Sequence, residues 1–206
     1  MNESIPLKAV TLVCTLKRTP EASSADKLAR DLAAEFETQN VTTEFIRVVD
    51  HVLKPGVEID MQNGDEWPKI RQKIMEADIL IMATPTWVGQ MSSEALRAIE
   101  RLDAELSETD EAGRFQTYPK VAAVAIVGNE DGAHKITADV LQALNDVGFT
   151  FAANAATYWN GEAMHTTDYI DLKEIPEKVA STNKMVAANT AHLARLLKQA
   201  NYPSLQ

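Results

Sequence analysis

The sequence predicts an α/β domain in which helices cover both faces of a parallel β-sheet. Apolar runs typical of buried strands alternate with amphipathic helical patterns along the whole chain. The runs are almost continuously apolar, which indicates strands that are buried on both faces. The 206 residues can bury a full hydrophobic core, and no repeat divides them, so we expect a single domain over residues 1–206.

Five strands and five helices are expected in this domain. The strands are predicted at 7–13, 41–50, 78–83, 120–128 and 149–159, and the helices at 24–39, 67–76, 92–106, 135–148 and 176–199. Because right-handed crossovers leave few arrangements of parallel strands, we expect the strand order 2-1-3-4-5. A six-stranded Rossmann sheet is the main alternative.

Each element of the first half has a local signature. LKAVTLV is a continuous apolar run, and the segment after it carries Leu28, Leu32 and Phe36 at helical spacing. VTTEFIRVVD is rich in β-branched residues, which favour strands. A polar stretch with glycine and proline (54–66) precedes a short helix that begins at Trp67, and DILIMA is the third apolar strand.

The second half repeats the alternation. SSEALRAIERLDAEL carries Leu96, Ile99 and Leu102 along one stripe, which predicts a helix. KVAAVAIVG is a fourth apolar strand, and KITADVLQALNDVG is a helix that Gly148 ends. FTFAANAATYW forms the fifth strand, and a long helix beginning at Pro176 closes the pattern.

Composition and charge narrow the class of protein. The formal net charge of −10 argues against nucleic acids and anionic membranes as partners, since both need a basic surface. Cys14 is the single cysteine, which excludes an intrachain disulfide, a cysteine zinc site and a cysteine-ligated iron–sulfur cluster. No apolar stretch approaches the roughly 20 residues of a membrane helix, and MNESIPLK lacks a signal-peptide pattern, so we expect a cytoplasmic protein.

Three loops are predicted to converge on one ligand site. In an open α/β sheet, ligands bind beyond the carboxyl ends of the strands, where the strand order reverses. That rule selects the loops at 14–24, 84–92 and 128–135, which follow the first, third and fourth strands. These strands are immediate neighbours in the order 2-1-3-4-5.

The first loop, CTLKRTPEASS, has hydroxyls and cations but no glycine. A helix that begins near Ser24 directs unpaired N–H groups and its positive dipole end at the loop, which favours an anion. Thr15 and Ser23 add hydroxyl donors, and Lys17 or Arg18 adds charge. Because both glycine-rich nucleotide motifs are absent, the loop suits a terminal phosphomonoester better than a pyrophosphate or a nucleoside triphosphate. An ordinary capping box, S-x-x-D, is the alternative.

The second loop, ATPTWVGQMSSEA, suits a planar ring. Pro85 stiffens the turn, Gly89 lets the backbone approach a ligand, and Trp87 offers a flat apolar face. A planar heterocycle needs such a wall, with backbone hydrogen bonds along one edge. A tryptophan in the core or at an oligomer interface is the alternative.

The third loop, VGNEDGAHKI, offers exposed backbone amides for the other edge of a ligand. It holds two glycines, Asn129, two carboxylates at Glu130 and Asp131, and His134. A polar turn before a helix would use the same residue types, and this reading stays open.

Together these segments resemble the flavodoxin-like superfamily, most closely its NADPH-dependent FMN reductase branch. TLKRTPEASSADKLA is similar to the phosphate loop of that branch, although it lacks the common G-S-x-R. TPTWVGQMSS is similar to the T-P-T-[YW]-x-G loop beside the flavin, GNEDGA to a third flavin-contacting loop, and TYWNGEA (157–163) to a segment after strand five. The likeness spans about residues 7–165 and implies a flavodoxin-like three-layer sandwich that binds FMN.

The resemblance assigns cofactor-binding roles to residues of all three loops. It implies a phosphate site formed by Thr15, Lys17, Ser23 and Ser24, with Arg18 as a further cation. It implies an isoalloxazine flanked by Pro85, Thr86, Trp87, Val88 and Gly89 on one side and by Gly128, Asn129, Asp131 and Gly132 on the other. It also implies a homodimer or homotetramer, for which the 92–106 helix and the Tyr158–Trp159 segment are the candidate contacts.

The implied activity is that of an oxidoreductase that passes electrons from NAD(P)H through FMN to a quinone, a free flavin or another small acceptor. Such chemistry needs no catalytic side chain, which agrees with the absence of G-x-S-x-G and of any recognisable triad. No metal site is expected, because His165, Glu162 and Asp168 lack ligand spacing. The second hypothesis is a flavodoxin-type electron carrier, since the acidity would suit basic protein partners.

Overall fold

The computed structural model describes residues 5–163 and 165–204. Met1–Ser4, which belong to the N-terminal segment considered above, lie outside the described residues, as does Met164. The elements follow one another as β1 Leu7–Val13, α1 Ser24–Thr38, β2 Val41–Arg47, α2 Trp67–Glu76, β3 Ile79–Trp87, β4 Gln90–Met91, α3 Ser93–Leu102, β5 Val121–Gly128, α4 Ala133–Asp146, β6 Thr150–Asn160 and α5 Glu177–Gln199.

The sheet has the predicted topology. Its parallel strands run in the order β2-β1-β3-β5-β6, and the two-residue β4 pairs antiparallel with the end of β3 outside this path. The order expected for the five long strands is confirmed. The six-stranded Rossmann alternative is wrong, because the sixth strand is a hairpin arm and not a further parallel strand.

Two hydrophobic layers enclose the sheet. One contains α2, α3 and α4, with Trp67, Ile74 and Ile136 packed against one sheet face. The other contains α1 and α5, with Phe36 and Val186 packed against the opposite face. Every residue of β5 from Val121 to Val127 is buried, as its continuous apolar sequence requires for a central strand.

Several element boundaries differ from the prediction. β3 continues four residues beyond Ala83, because Thr84 and Pro85 still pair with β5 and Thr86 and Trp87 pair with β4. A short 3₁₀ turn replaces the predicted end of the second strand at Val48–Asp50, and another replaces the end of α3 at Asp103–Ser107. The sequence pattern does not distinguish such tightened ends from continued elements.

Ser92 ties together the elements beneath the site. Its hydroxyl donates to the Cys14 carbonyl at 2.6 Å and accepts from the Ala95 N–H at 3.1 Å, which caps α3. Its own N–H donates to Thr84 Oγ1 at 3.0 Å. One buried residue therefore fixes the carboxyl ends of β1 and β3 relative to α3.

In the part of the chain that the structure describes, no helix combines the length and the apolar character that crossing a membrane requires.

Candidate functional site

The three loops predicted to converge do meet, at the carboxyl ends of β1, β3 and β5. They enclose a cleft of about 240 Å³, which the segment after β6 completes. The lining residues are Thr15, Leu16, Lys17, Ser23, Ser24, Ala25, Pro85, Thr86, Trp87, Val127, Gly128, Asn129, Glu130, Trp159, His165, Asp168 and Tyr169.

Three hydroxyls stand at the α1 end of the cleft with their protons available. Thr15 Oγ1 accepts from the Lys17 N–H at 3.3 Å, Ser23 Oγ from the Asp26 N–H at 3.4 Å, and Ser24 Oγ from the Ile170 N–H at 3.3 Å. Among the described residues each of these oxygens accepts a backbone hydrogen bond and none donates its proton, so each hydroxyl can donate to a ligand. Ser23 is thus both the N-cap of α1 and a potential ligand donor.

The first loop needs no glycine because none of residues 14–24 has a positive φ, and side chains from the end of β2 hold it in place. Arg47 donates to the carbonyls of Lys17 at 3.4 Å and Glu21 at 2.8 Å. The Asp50 carboxylate accepts from the Thr19 N–H at 3.0 Å and from the Thr19 hydroxyl at 2.6 Å. Burial acts to raise the pKa of Asp50, but these hydrogen bonds and Arg47 outweigh it and hold that pKa below its usual value.

The second loop is a tight hairpin between β3 and β4. Val88 and Gly89 form its two-residue turn, with φ of 53° and 69°. Positive φ at both positions is the geometry of a type I′ turn, which glycine adopts freely and valine does not. Trp87 lines the cleft with 53% of its surface exposed, and Val88 at the tip is 88% exposed.

The third loop packs directly against this hairpin. A Cβ on Gly132 would lie 2.9 Å from the Gly89 Cα, so glycine is required for the two backbones to approach. The Glu130 carboxylate accepts from the N–H groups of Val88 at 2.9 Å and Gly89 at 3.2 Å. Lys135 adds a hydrogen bond to the Gln90 side chain at 2.7 Å.

The segment after β6, residues 161–163 and 165–171, covers one wall of the cleft and is called the strap here. Asn129 Nδ2 donates to the His165 carbonyl at 3.1 Å and to the Asp168 carboxylate at 3.0 Å. The Tyr169 hydroxyl donates to Asp31 on α1 at 2.7 Å. The strap therefore joins the third loop to α1 across the cleft.

Two aromatic rings form the inner wall. The centroids of Trp159 and Tyr169 lie 5.5 Å apart, and Lys27 Nζ lies 4.2 Å from the centre of the Tyr169 ring. Burial and then the hydrogen bond to Asp31 raise the pKa of Tyr169, so its hydroxyl stays protonated. This wall is a fixed apolar surface and not an acid–base centre.

The described residues offer neither an activated thiol nor a metal cluster. Cys14 is buried, and burial together with the charge of Glu94 raises the pKa of its thiol, so the thiol stays protonated. Among residues 5–163 and 165–204, no group of three or more His, Cys, Asp or Glu side chains could hold a metal ion. His165 Nδ1 lies 3.4 Å from Glu162 as an isolated pair.

The structure brings part of the predicted residue set into the cleft. The residues that line it are Thr15, Lys17, Ser23, Ser24, Pro85, Thr86, Trp87, Gly128 and Asn129. The residues that do not line it are Arg18, Val88, Gly89, Asp131 and Gly132. Arg18 lies on an exposed turn, and the Asp131 carboxylate accepts from the neighbouring Gly132 N–H at 2.7 Å. Contact of any of these residues with a cofactor stays a prediction.

Sequence reasoning missed most of the strap. Asp168, His165 and Tyr169 line the cleft although none belongs to a predicted loop. The TYWNGEA motif was the available signal, since it ends at the start of the strap. Glu130 was noted in the third loop, but its contact with the hairpin had no sequence signature.

Comparisons with known proteins show the family of this chain. The model of the NADPH-dependent FMN reductase family matches residues 7–164. The 8-demethyl-8-aminoriboflavin-5′-phosphate synthase of Streptomyces davaonensis is 36% identical over an alignment of 208 positions, which covers 95% of this chain and 80% of that protein. A divalent metal cation transporter, MntH of Mycobacterium bovis, is 34% identical over 93% of this chain, which spans only 29% of that protein.

Solved structures agree as well. RosB with bound 8-demethyl-8-formylriboflavin-5′-phosphate superposes with a TM-score of 0.87 at 34% identity, covering 95% of this chain and 82% of that one. An NADH:FMN oxidoreductase (EMOB, apo form) gives a TM-score of 0.62 at 19% identity, covering 92% and 89%. An archaeal flavodoxin gives 0.56 at 11% identity, covering 93% and 99%. The chain therefore belongs to the NADPH-dependent FMN reductase family and is an enzyme with the flavodoxin-like fold.

Proposed function

We propose that this chain binds FMN in the cleft and passes electrons from NAD(P)H through it to a small acceptor. The observation that carries the proposal is the difference between the two ends of one cleft. Its α1 end presents Thr15, Ser23 and Ser24 with free hydroxyl protons, and its other end presents the exposed face of Trp87. A phosphate tail and a planar ring match these two ends.

The donor set fits FMN at the phosphate end. The first N–H groups of α1 have no partner within the helix, and Ala25 in that first turn lines the cleft. Lys17 adds a positive charge at the same end. A phosphomonoester accepts several hydrogen bonds at once, which matches this cluster of hydroxyls, amides and one cation.

The ring end is only partly enclosed. The cleft volume of about 240 Å³ is smaller than the roughly 300–1,000 Å³ of pockets that enclose a whole ligand. A ring that lies against Trp87 would keep one face open to a second reactant. In the proposed reaction FMN supplies the redox chemistry, while Trp87 and the strap position the ring and exclude water from its inner side.

The second candidate function is that of an enzyme that binds the flavin as its substrate. It rests on the 36% identity, over 95% of this chain, to a synthase whose name describes a modified riboflavin 5′-phosphate. In this reading the same cleft binds the same ligand, but the flavin leaves chemically altered. The electron-carrier hypothesis loses support, because the similar flavodoxin shares only the fold, at 11% identity.

The oligomeric state and the cellular location are also proposals. We infer a homodimer or homotetramer, because Leu96 on α3 and Tyr158 near the cleft are large apolar side chains that stay 49% and 39% exposed. Light scattering during size-exclusion chromatography would test the subunit number, and a monomer at micromolar concentration would contradict it. Use of NAD(P)H would be consistent with the cytoplasmic residence expected above.

Absorbance spectroscopy of the purified protein tests the function. FMN should bind at micromolar concentration with a perturbed flavin spectrum, and anaerobic NADPH or NADH should bleach the bound flavin. Mass spectrometry of the recovered flavin separates the two candidates, because an unchanged mass supports the cofactor role and a changed mass supports the substrate role. An unperturbed spectrum with excess FMN would reject both.

A further inference from the structure

One polar contact joins the two loops that would flank a flavin ring. Glu130 Oε1 accepts from the Val88 N–H at 2.9 Å, and its Oε2 accepts from the Gly89 N–H at 3.2 Å. Glu130 also lines the cleft, whereas Val88 and Gly89 do not. A single carboxylate therefore occupies two successive backbone donors of the turn beside the proposed binding site.

These two N–H groups together form a binding site for a hydrogen-bond acceptor. Successive N–H groups in a turn conformation create a concavity that binds anions and carbonyl oxygens. Hydrogen bonds to an ionised carboxylate are stronger than hydrogen bonds between neutral groups. The contact with Glu130 is therefore a strong local interaction that a neutral ligand edge must replace.

We propose that Glu130 is an internal competitor of the flavin ring. Its carboxylate takes the turn N–H groups that the polar edge of a bound ring needs, since these donors directly follow Trp87 in the chain. The inference rests on the proposed function, because it assumes that the ring lies against Trp87. The apparent Kd then equals the intrinsic Kd divided by the fraction of molecules in which Glu130 leaves the turn free.

Competition at the ring end has a specific signature. Among the described residues Glu130 makes no hydrogen bond to the donors at the α1 end, so the competition weakens FMN and riboflavin, which lacks the phosphate, by the same factor. A purely electrostatic effect of the Glu130 charge would fall mainly on FMN, because only FMN carries the phosphate charge.

Titration of wild type and variants with FMN and with riboflavin tests the proposal. E130A should lower both Kd values by the same factor, about tenfold if Glu130 holds the turn in nine of ten molecules. E130Q should lower both by a smaller factor, because a neutral amide oxygen still accepts. E130D should act in the same direction as E130A, because the shorter side chain keeps the charge but loses reach.

Two carboxylates provide matched controls. Asp146 lies on α4 outside the cleft, and its carboxylate accepts from Gln142 Nε2 at 2.7 Å. D146N should leave both Kd values within about twofold of wild type. Asp168 lines the cleft without touching the turn, so D168N should tighten FMN more than riboflavin, because it removes a negative charge and only FMN carries the phosphate.

Several outcomes would overturn the proposal. Unchanged or weaker riboflavin binding in E130A would show that Glu130 supports the turn and does not compete for it. Tighter binding of FMN alone by E130A would show that the effect comes from the Glu130 charge. In wild type, the ¹⁵N-resolved amide signals of Val88 and Gly89 should move on addition of FMN, and stationary signals would contradict donor exchange. Failure of wild type to bind either flavin would instead reject the proposed function.

Discussion

The loop after β2 and the loops around the cleft are held by different kinds of contact. Residues 51–66 close around Arg101, which donates to the carbonyls of Lys54 and Glu58 and to the Asp65 carboxylate at 2.7 Å. The side chains of Arg101 and Asp65 are both fully buried. The hairpin at the cleft is held instead by Glu130, which is partly exposed.

This difference distinguishes a loop that only stabilises the fold from loops whose hydrogen bonds a ligand can replace. A buried pair cannot be replaced by water or ligand, so the loop after β2 has one arrangement. A carboxylate at the rim of a cleft can give up its backbone donors to an acceptor of the ligand and be solvated by water instead. The residues that build the site are therefore the less firmly fixed ones, as binding loops commonly are.

The largest expected effect comes from breaking the buried pair. R101M should lower the free energy of unfolding by about 3–5 kcal/mol, because it leaves the Asp65 charge and several carbonyls without their donor. Urea denaturation followed by circular dichroism measures the loss. R97M on the same helix is the control and should cost less than about 1 kcal/mol, since Arg97 is partly exposed. Equal losses in the two variants would contradict the comparison.

A buried cation at the amino end of the sheet allows a second test of this comparison, through the pH dependence of stability. Lys120 Nζ donates to the carbonyls of Met75 and Ala77 at 2.7 and 2.8 Å. Burial lowers the pKa of Lys120 from 10.5 to about 8, against the opposing charges of Asp78 and Glu105. The folded state thus loses this proton near pH 8 and the unfolded state near pH 10.5.

The sign of the pH dependence follows from that order. Below pH 8 both states carry the charge and the folded state bears the full cost of its burial. Between pH 8 and 10.5 the stability of wild type should rise relative to K120M, by at most about 3 kcal/mol. Urea denaturation of both proteins at pH 7, 9 and 10 measures the difference. A constant difference over this range would contradict the lowered pKa.

At the cleft, the expected effects appear in binding. W87A should weaken FMN and riboflavin alike, by about tenfold or more, because each loses the same aromatic contact at the ring. T15V should weaken FMN by about tenfold and leave riboflavin unchanged, because in the proposed binding mode only the phosphate uses this hydroxyl. Fluorescence titration measures both. A loss confined to FMN in W87A would place the ring elsewhere.

The smallest effect concerns the hairpin tip. V88N should stabilise the protein by about 1 kcal/mol, because asparagine tolerates positive φ better than a β-branched residue. The free energy of unfolding in urea measures the gain. A loss of stability would show that the exposed Val88 side chain makes contacts in solution that offset its backbone strain.

The features that sequence predicted are those with local signals. Apolar continuity gave the strands, and one topological rule then brought together the loops at 14–24, 84–92 and 128–135. The contacts that complete the site had no such signal. Tyr169 meets Asp31 across 138 positions, and Glu130 meets Val88 across 42, so both depend on the finished fold. The hairpin turn lacks the Asn-Gly that marks its type.

The strap has a consequence for how the protein matures. Its Asp168 and Tyr169 complete a cleft whose opposite wall begins at Thr15, so the site spans more than 150 positions of the chain. A nascent polypeptide that has emerged only as far as β5 has the hydroxyls but no inner wall to retain a ligand. Capture of a small molecule is therefore an event that follows translation of β6, not one that can guide the earlier steps.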